Sequence, residues 1–279
     1  MEYIKLSNGI KMPKLGFGVY QIPKEETEKC VLDAINVGYR LIDTAQRYGN
    51  EEEVGNAIVN SGIAREEFFI TTKVWIDNYG YEKCKQSVIE SMKKLKLEYI
   101  DLVLIHQPFG DYYGAYRALE ELFEEGIIKA IGVSNFYPDR LVDICLFDRK
   151  ILPHINQVEV NIYNQQIDEQ KIMEKYKVQI EAWAPFGEGR NDMFSNKILK
   201  KIGKKYNKTV AQIILRYLTQ RNIISLAKST HIERMKENID IFDFKLNDTD
   251  INKIKKLDKK TSMFYLHNDY NIVEMFNAK

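Results

Sequence analysis

The chain has 279 residues, 29% of them charged and 44% hydrophobic, which is ordinary globular composition and excludes a disordered or fibrous protein. Lys and Arg number 41 against 40 Asp and Glu, so the net charge is +1 and a general electrostatic attraction to nucleic acid or anionic membrane is excluded. At about 150 residues per domain the length allows two domains, although barrels of alternating strands and helices run beyond about 250 residues as one unit.

Taken in chain order, Tyr3-Ile4-Lys5-Leu6 and Ile10-Lys11-Met12 flank Ser7-Asn8-Gly9, and Asn-Gly between alternating apolar residues predicts a tight hairpin. Eight apolar, strand-like runs follow at residues 15–20, 40–45, 68–74, 100–106, 127–135, 155–160, 179–185 and 223–229. Their starts are 25, 28, 32, 27, 28, 24 and 44 residues apart. Helical periodicity fills the intervals at 24–37, 51–60, 80–95, 115–125, 139–147 and 166–177, and the long last interval holds two such patterns, 193–206 and 210–219. Gly38 stands where the first helix needs a C-cap, Gly126 ends another after Glu125, and Pro138 opens a third near its first turn. Runs such as Leu102-Val103-Leu104-Ile105 are apolar throughout, as strands buried on both faces must be. The expected fold class is therefore α/β, a (β/α)8 TIM barrel with an N-terminal β-hairpin and extra helices. No linker or composition break divides residues 1–279, so a single barrel domain is expected.

Cys30, Cys84 and Cys145 form no CxxC pair, and an odd count fits reduced, buried thiols in a cytoplasm. Histidines at 106, 154, 231 and 267 show no zinc spacing, so no metal site is expected. Met1-Glu2-Tyr3-Ile4-Lys5 lacks a signal-peptide layout, and no apolar run approaches the roughly 18 residues that span a bilayer. A cytoplasmic protein without nucleic-acid or membrane partners is expected. Gly16-Phe17-Gly18 has no third glycine at Rossmann spacing, and no GxxxxGK[ST] occurs, so a dinucleotide would need another kind of site.

Barrels of this kind collect their chemistry at the C-terminal strand ends. There the sequence places Asp43 with Tyr48 five residues later, then Lys73 and His106. A lone acid, lysine or histidine at a strand end is more often a cap or surface group; the conjunction carries the argument. Asp43 beside Lys73 makes a partly buried charge pair, and an ammonium near the Tyr48 hydroxyl lowers its pKa from about 10 toward working pH. His106 is placed to donate to a carbonyl oxygen. Ser134, Asn135 and Gln157 match a ligand carboxamide, or else simply bond within the barrel. Trp183 offers a stacking face or a core ring. Lys228, Ser229 and Thr230, with Arg234, mark a helix start that suits a phosphate better than mere capping.

These residues, within Gly16-Phe17-Gly18-Val19-Tyr20, Asp43-Thr44-Ala45, Tyr48-Gly49-Asn50-Glu51, Thr72-Lys73-Val74-Trp75, Asp101-Leu102-Val103-Leu104-Ile105-His106, Gly132-Val133-Ser134-Asn135-Phe136 and Lys228-Ser229-Thr230-His231, make a chain that resembles the aldo-keto reductases over essentially its whole length. Gln107-Pro108-Phe109-Gly110 and Trp183-Ala184-Pro185-Phe186-Gly187 resemble the bacterial branch that includes 2,5-diketo-gluconate reductases. The resemblance implies an NADP-dependent oxidoreductase that passes hydride from NADPH to an aldehyde or ketone, with Tyr48 as general acid, Lys73 and Asp43 tuning it, and His106 orienting the carbonyl. It also implies a cofactor site of Gly18, Val19, Tyr20, Asp43, Ser134, Asn135, Gln157, Trp183, the loop Ala184, Pro185, Phe186, Gly187 and Glu188, and then Lys228, Ser229, Thr230, Arg234, Glu237 and Asn238. Tyr20, Tyr48, Trp75, His106 and Phe109 are implied to line the mouth for a small carbonyl substrate, and family analogy implies a monomer. Trp183 stands where many relatives carry Tyr, and Leu226-Ala227 replaces a common Ile-Pro.

The tail after Lys260 is short, which predicts an open, broad cleft, and His267 within it is read as a surface or packing residue. Two competing readings remain at this level. One is a Schiff-base aldolase with Lys73 as nucleophile, disfavoured because Asp43 would keep it protonated. The other is a cofactor-binding sensor subunit on the same barrel.

Overall fold

The computed structural model describes residues 1–146 and 149–277. Asn8-Gly9 turns the chain between β1 (Tyr3–Lys5) and β2 (Lys11–Pro13), which pair antiparallel with Ile4 opposite Met12. Eight more strands follow: β3 (Leu15–Gly18), β4 (Leu41–Asp43), β5 (Phe69–Val74), β6 (Leu102–Ile105), β7 (Ile131–Ser134), β8 (Ile155–Glu159), β9 (Gln179–Trp183) and β10 (Ile224–Ala227). They close into a parallel barrel in the order β10-β3-β4-β5-β6-β7-β8-β9. The eight apolar runs of the sequence contain these eight strands, each shorter than its run; β4 fills half of 40–45 and β7 less than half of 127–135.

The helices are α1 (Lys24–Val37), α2 (Glu51–Asn60), α3 (Tyr81–Lys94), α4 (Tyr112–Glu124), α5 (Pro138–Leu146), α6 (Ile167–Lys175), α7 (Lys197–Tyr206), α8 (Val210–Gln220), α9 (Ile232–Ile239), α10 (Asp248–Lys255) and α11 (Tyr270–Asn277). α1 buries Cys30, Val31, Ala34 and Ile35, then stops at Gly38, whose φ of 118° lets its N–H donate to the Ala34 and Ile35 carbonyls. α4 starts three residues before its apolar pattern because the Asp111 carboxylate accepts from the Gly114 N–H and caps the helix there. The pattern expected from 193 becomes helix only at Lys197, behind an Asn196 cap. Ahead of that cap, Glu188, Asn191 and Asp192 hold left-handed φ values of 53°, 54° and 51°. The pattern over 139–147 is α5, and its last residue, Phe147, lies outside the described residues.

Strand alternation divides the core in two. Outward residues such as Ile42, Ile70, Val103, Ile105 and Val133 pack beneath the helices. Inward residues Leu41, Phe69, Leu102, Leu104, Ile155 and Ile224 meet Leu6 and Met12 of the hairpin, which plugs the N-terminal end of the barrel. One step toward the C-terminal end the inward positions turn polar, with Asp43, Thr71, Lys73, Gln157 and Glu181 all buried. This polar layer is the floor of the site.

The tail covers part of the rim of the cleft expected to be open and broad. Its aromatic residues find apolar partners on the rim: the Phe276 ring lies 5.6 Å from Trp75 and 6.2 Å from Phe109, and Phe264 lies 5.1 Å from Trp183. The Glu159 carboxylate anchors this lid by accepting from Ser262 Oγ at 2.6 Å and the Met263 N–H at 3.0 Å. His267 is a packing residue rather than a surface one, 4% exposed, with Nδ1 2.7 Å from Gln107 Oε1. Among the described residues no helix is long and apolar enough to cross a membrane, and all three cysteines are buried and unpaired.

Candidate active site

Tyr48 closes a short helical turn, Gln46–Tyr48, that leaves β4 and ends at Gly49 with φ 71°. Two side chains hold the turn. The Thr44 hydroxyl donates to Asn50 Oδ1 at 2.8 Å, and Asn50 Nδ2 reaches the Val19 carbonyl at 3.3 Å. Gln46, which the sequence reading passed over, accepts from the Trp75 N–H at 3.0 Å and from Asn78 Nδ2 at 2.9 Å, so it fixes the loop after β5 against the turn.

Lys73 is fully buried on β5. Its Nζ donates to Asp43 Oδ1 at 2.5 Å, to the Thr44 carbonyl at 2.9 Å and to Tyr48 Oη at 3.3 Å. Burial alone pulls an ammonium's pKa down, but Asp43 and then Tyr48 outweigh it, and Lys73 is held above its ordinary value. A lysine kept charged by three acceptors is no Schiff-base nucleophile at neutral pH.

The expected lowering of the Tyr48 pKa is corrected. Burial pushes the phenol up to about 12; Lys73 pulls it down, yet Asp43 pushes it up again. Tyr48 therefore keeps its proton at neutral pH. His106 lies across the cleft, its ring 5.8 Å from that of Tyr48 and 5.1 Å from Trp75. Burial first, then Lys73 and His267, drive its pKa well below the usual imidazole range, so it is neutral. Its Nδ1 is buried with no partner among the described residues.

Beneath this pair lies a link that the sequence reading missed. Gln157 Nε2 donates both to Asp43 Oδ2 at 2.8 Å and to Glu181 Oε2 at 3.0 Å. Burial, then Asp43, raises the pKa of the fully buried Glu181 to about 8 from an ordinary 4.5, against the pull of the Gln157 hydrogen bond and Lys73. The sign of the linkage follows: the folded chain holds a proton that the unfolded chain loses, so this residue makes stability fall as pH rises from about 4.5 to about 8. Glu181→Gln keeps the acceptor for Gln157 and removes the titration. Its urea midpoint relative to the parent is expected to be higher at pH 8 than at pH 5; equal differences at both would refute the shift.

The expected carboxamide-binding residues are tied to one another. Ser134 Oγ donates to the Gln157 carbonyl at 2.9 Å, and Asn135 Nδ2 to the His106 carbonyl at 3.1 Å. Asn135 Oδ1 accepts from the Trp183 indole N–H at 2.9 Å, which fixes the ring on the rim. The loop after β9 turns through left-handed Ala184 and Gly187, and Arg190 ties it to the tail by donating to the Met263 carbonyl at 2.8 Å.

Most of the expected residues line one cavity of about 1210 Å³: Gly18, Tyr20, Asp43, Tyr48, Trp75, His106, Ser134, Asn135, Gln157, Trp183, Ala184, Pro185, Phe186, Glu188, Lys228, Ser229, Arg234, Glu237 and Asn238. Five expected residues do not line it. Lys73 acts from behind Asp43 and Tyr48; Val19 is buried in the outer core; Gly187 packs toward Met193 and Met263; Thr230 stands off; and Phe276 covers Phe109. The cavity also takes in Arg47, Thr209, Tyr265, His267 and Phe276, none of which carries a motif. At its far end Lys228 and Arg234 are exposed and have no ion pair among the described residues, whereas Glu237 accepts from Thr209 Oγ1 at 2.7 Å.

The profile of the Aldo/keto reductase family matches residues 13–259. A relative named glyoxal reductase, from Bacillus subtilis (strain 168), is 44% identical over 260 residues, covering 92% of this chain and 93% of its own. Among solved structures, the aldo-keto reductase MGS-M4 from a Medee basin deep-sea metagenome library is 42% identical with a TM-score of 0.93, covering 95% of this chain and 98% of its own. The Bombyx mori aldo-keto reductase AKR2E4, solved in complex with NADP, is 32% identical with a TM-score of 0.90, covering 95% of both chains. The chain belongs to the aldo/keto reductase family and is an oxidoreductase of that family.

Proposed function

We propose that this chain, acting as one barrel domain, reduces aldehydes and ketones to alcohols with NADPH, and that Tyr48 is the proton donor. The observation that carries this reading is the contact of Tyr48 Oη with Lys73 Nζ at 3.3 Å, on a wall of the cavity that His106 faces. The residues present fit the cofactor. Amide and hydroxyl groups of Ser134, Asn135 and Gln157 stand beside the Trp183 indole, and the far end supplies two cations without a counter-ion among the described residues, suited to a phosphate. The B. mori relative solved with NADP and the relative named glyoxal reductase support the same reading.

Bound NADPH supplies the hydride. The protein residues supply the rest. His106, neutral and wedged between the Tyr48 and Trp75 rings, orients the carbonyl by donating to its oxygen. Tyr48 gives its proton to the oxygen as negative charge develops there, because an alkoxide is a stronger base than a phenolate. The Lys73 ammonium then faces the phenolate, and Asp43 keeps that ammonium charged. Lys228 and Arg234, with Ser229, would hold the 2′-phosphate, and Glu237 and Asn238 would lie at the adenosine end.

Steady-state NADPH oxidation against methylglyoxal and a panel of small aldehydes tests the reading. Turnover is expected; tight NADPH binding without turnover on any of them would make the chain a sensor instead. Arg234→Ala is expected to raise the KM for NADPH roughly 10- to 100-fold, as loss of a charged hydrogen bond does, and to leave NADH nearly unaffected. Equal loss of both cofactors would refute the phosphate assignment.

A further inference from the structure

The substrate half of the cavity holds a charge that carbonyl reduction does not use. Arg47 lies in the same short turn as Tyr48, lines the cavity, and packs its guanidinium carbon 5.5 Å from the Trp75 ring centroid. Among the described residues it has no ion pair and no hydrogen-bond acceptor. The acidic and imidazole groups on the walls of the cavity and beneath its tail are otherwise engaged or neutral. Asp43 is bound to Lys73, His106 and His267 are neutral, Glu159 is occupied by the tail, and Glu188 faces Arg190 at 3.3 Å. The cations suited to the cofactor phosphate follow β10, and two strands, β3 and β4, separate β10 from β5, whose loop carries Trp75. Arg47 is therefore a second cationic pole of the cavity, on the substrate side.

Its chemistry is specific. A guanidinium resting on an aromatic face has given up part of its rotamer freedom and turns a planar fork of donors outward, which matches a carboxylate. The Trp75 ring that holds it lies 5.1 Å from His106, so a group on Arg47 sits within a small molecule's length of the carbonyl position.

We propose that Arg47 is an anion subsite of the cleft, and that the carbonyl compounds this site takes best carry a carboxylate. The proposal rests on the reading of Tyr48 and His106 as the carbonyl site. It predicts that the substrate docks between two fixed points, its carbonyl at Tyr48 and His106 and its carboxylate at Arg47, with Trp75 beneath the connecting atoms.

The test compares 4-formylbenzoate with its methyl ester as substrates for NADPH oxidation by the parent, Arg47→Ala and Arg47→Lys. The ratio of kcat/KM for acid over ester is compared between enzymes, which cancels the intrinsic reactivity of the two aldehydes. Arg47→Ala is expected to lower this ratio about tenfold, chiefly through KM, and Arg47→Lys to restore part of it. In the parent the ratio is expected to fall as NaCl rises, since the subsite is exposed to solvent. An unchanged ratio in Arg47→Ala would overturn the proposal, and so would a KM change for NADPH of the same size, which would assign Arg47 to the cofactor. Failure of the parent to reduce either aldehyde while NADPH binds would instead remove the carbonyl-reduction reading beneath it.

Discussion

Tyr48→Phe is expected to bind NADPH nearly as the parent does and to lose carbonyl reduction by roughly 10²- to 10⁴-fold, the range for removal of a positioned acid. The substitution deletes one oxygen and little else. The ring keeps its packing against Tyr20 at 4.9 Å and His106 at 5.8 Å. Lys73 keeps Asp43 Oδ1 at 2.5 Å and the Thr44 carbonyl at 2.9 Å, so the buried ammonium is not orphaned. The fold and the groups around Ser134 and Trp183, proposed to hold the cofactor, are untouched, because neither bonds to Tyr48. The pH profile adds a second arm. With its phenol pushed up to about 12, the parent holds the transferable proton through the neutral range, and turnover is expected to fall only in alkaline solution. Stopped-flow or steady-state NADPH oxidation, with cofactor titration of both proteins, checks both arms. Substantial turnover in Tyr48→Phe would remove Tyr48 from the acid's role.

Much of this site could be read from sequence because its residues break a physical rule. Asp43, Lys73 and His106 end apolar strands, where an unpaired charge is costly, so their coincidence at neighbouring strand ends implies mutual satisfaction. The barrel itself was legible from runs apolar on both faces and from breakers at Asn8-Gly9, Gly38 and Gly126. The rest escaped for other reasons. Glu181 sits in Ile180-Glu181-Ala182, which reads as ordinary alternation; only closure of the barrel turns that face inward onto Gln157 and Asp43. That same burial, with Asp43 opposing Lys73, decides that the Tyr48 pKa rises rather than falls. Phe276 covers Phe109, and His267 reaches Gln107 across 160 positions of sequence, contacts for which the tail carries no periodic pattern. Arg47 is equally silent in sequence, since an arginine beside a tyrosine becomes informative only when its partners are seen to be absent.

Asp43→Asn has the largest expected effect on stability, about 3–5 kcal/mol, the usual consequence of removing one member of a buried ion pair. Lys73 is fully buried, and Asp43 is its only charged partner among the described residues. The new amide also turns a donor toward Gln157 Nε2, which now donates to Asp43 Oδ2 at 2.8 Å. At neutral pH the Lys73–Asp43 attraction is fully present in the parent, because Lys73 is held above its ordinary pKa and would lose its proton only in strongly alkaline solution. In the variant, burial is no longer opposed by Asp43 and pulls the Lys73 pKa down. The folded variant then binds fewer protons than its unfolded chain, so its stability rises with pH and the deficit relative to the parent narrows on the alkaline side. Urea midpoints between pH 6 and pH 10 read that convergence; a constant gap would mean that the charge of Lys73 is not what the substitution exposes. Adding Lys73→Met is expected to recover a large part of the loss, since a vanished pair leaves no orphan charge, while leaving carbonyl reduction as low as in either single variant. If the two losses simply add, Asp43 and Lys73 do not act on each other, and the electrostatic support drawn here for Tyr48 has no basis.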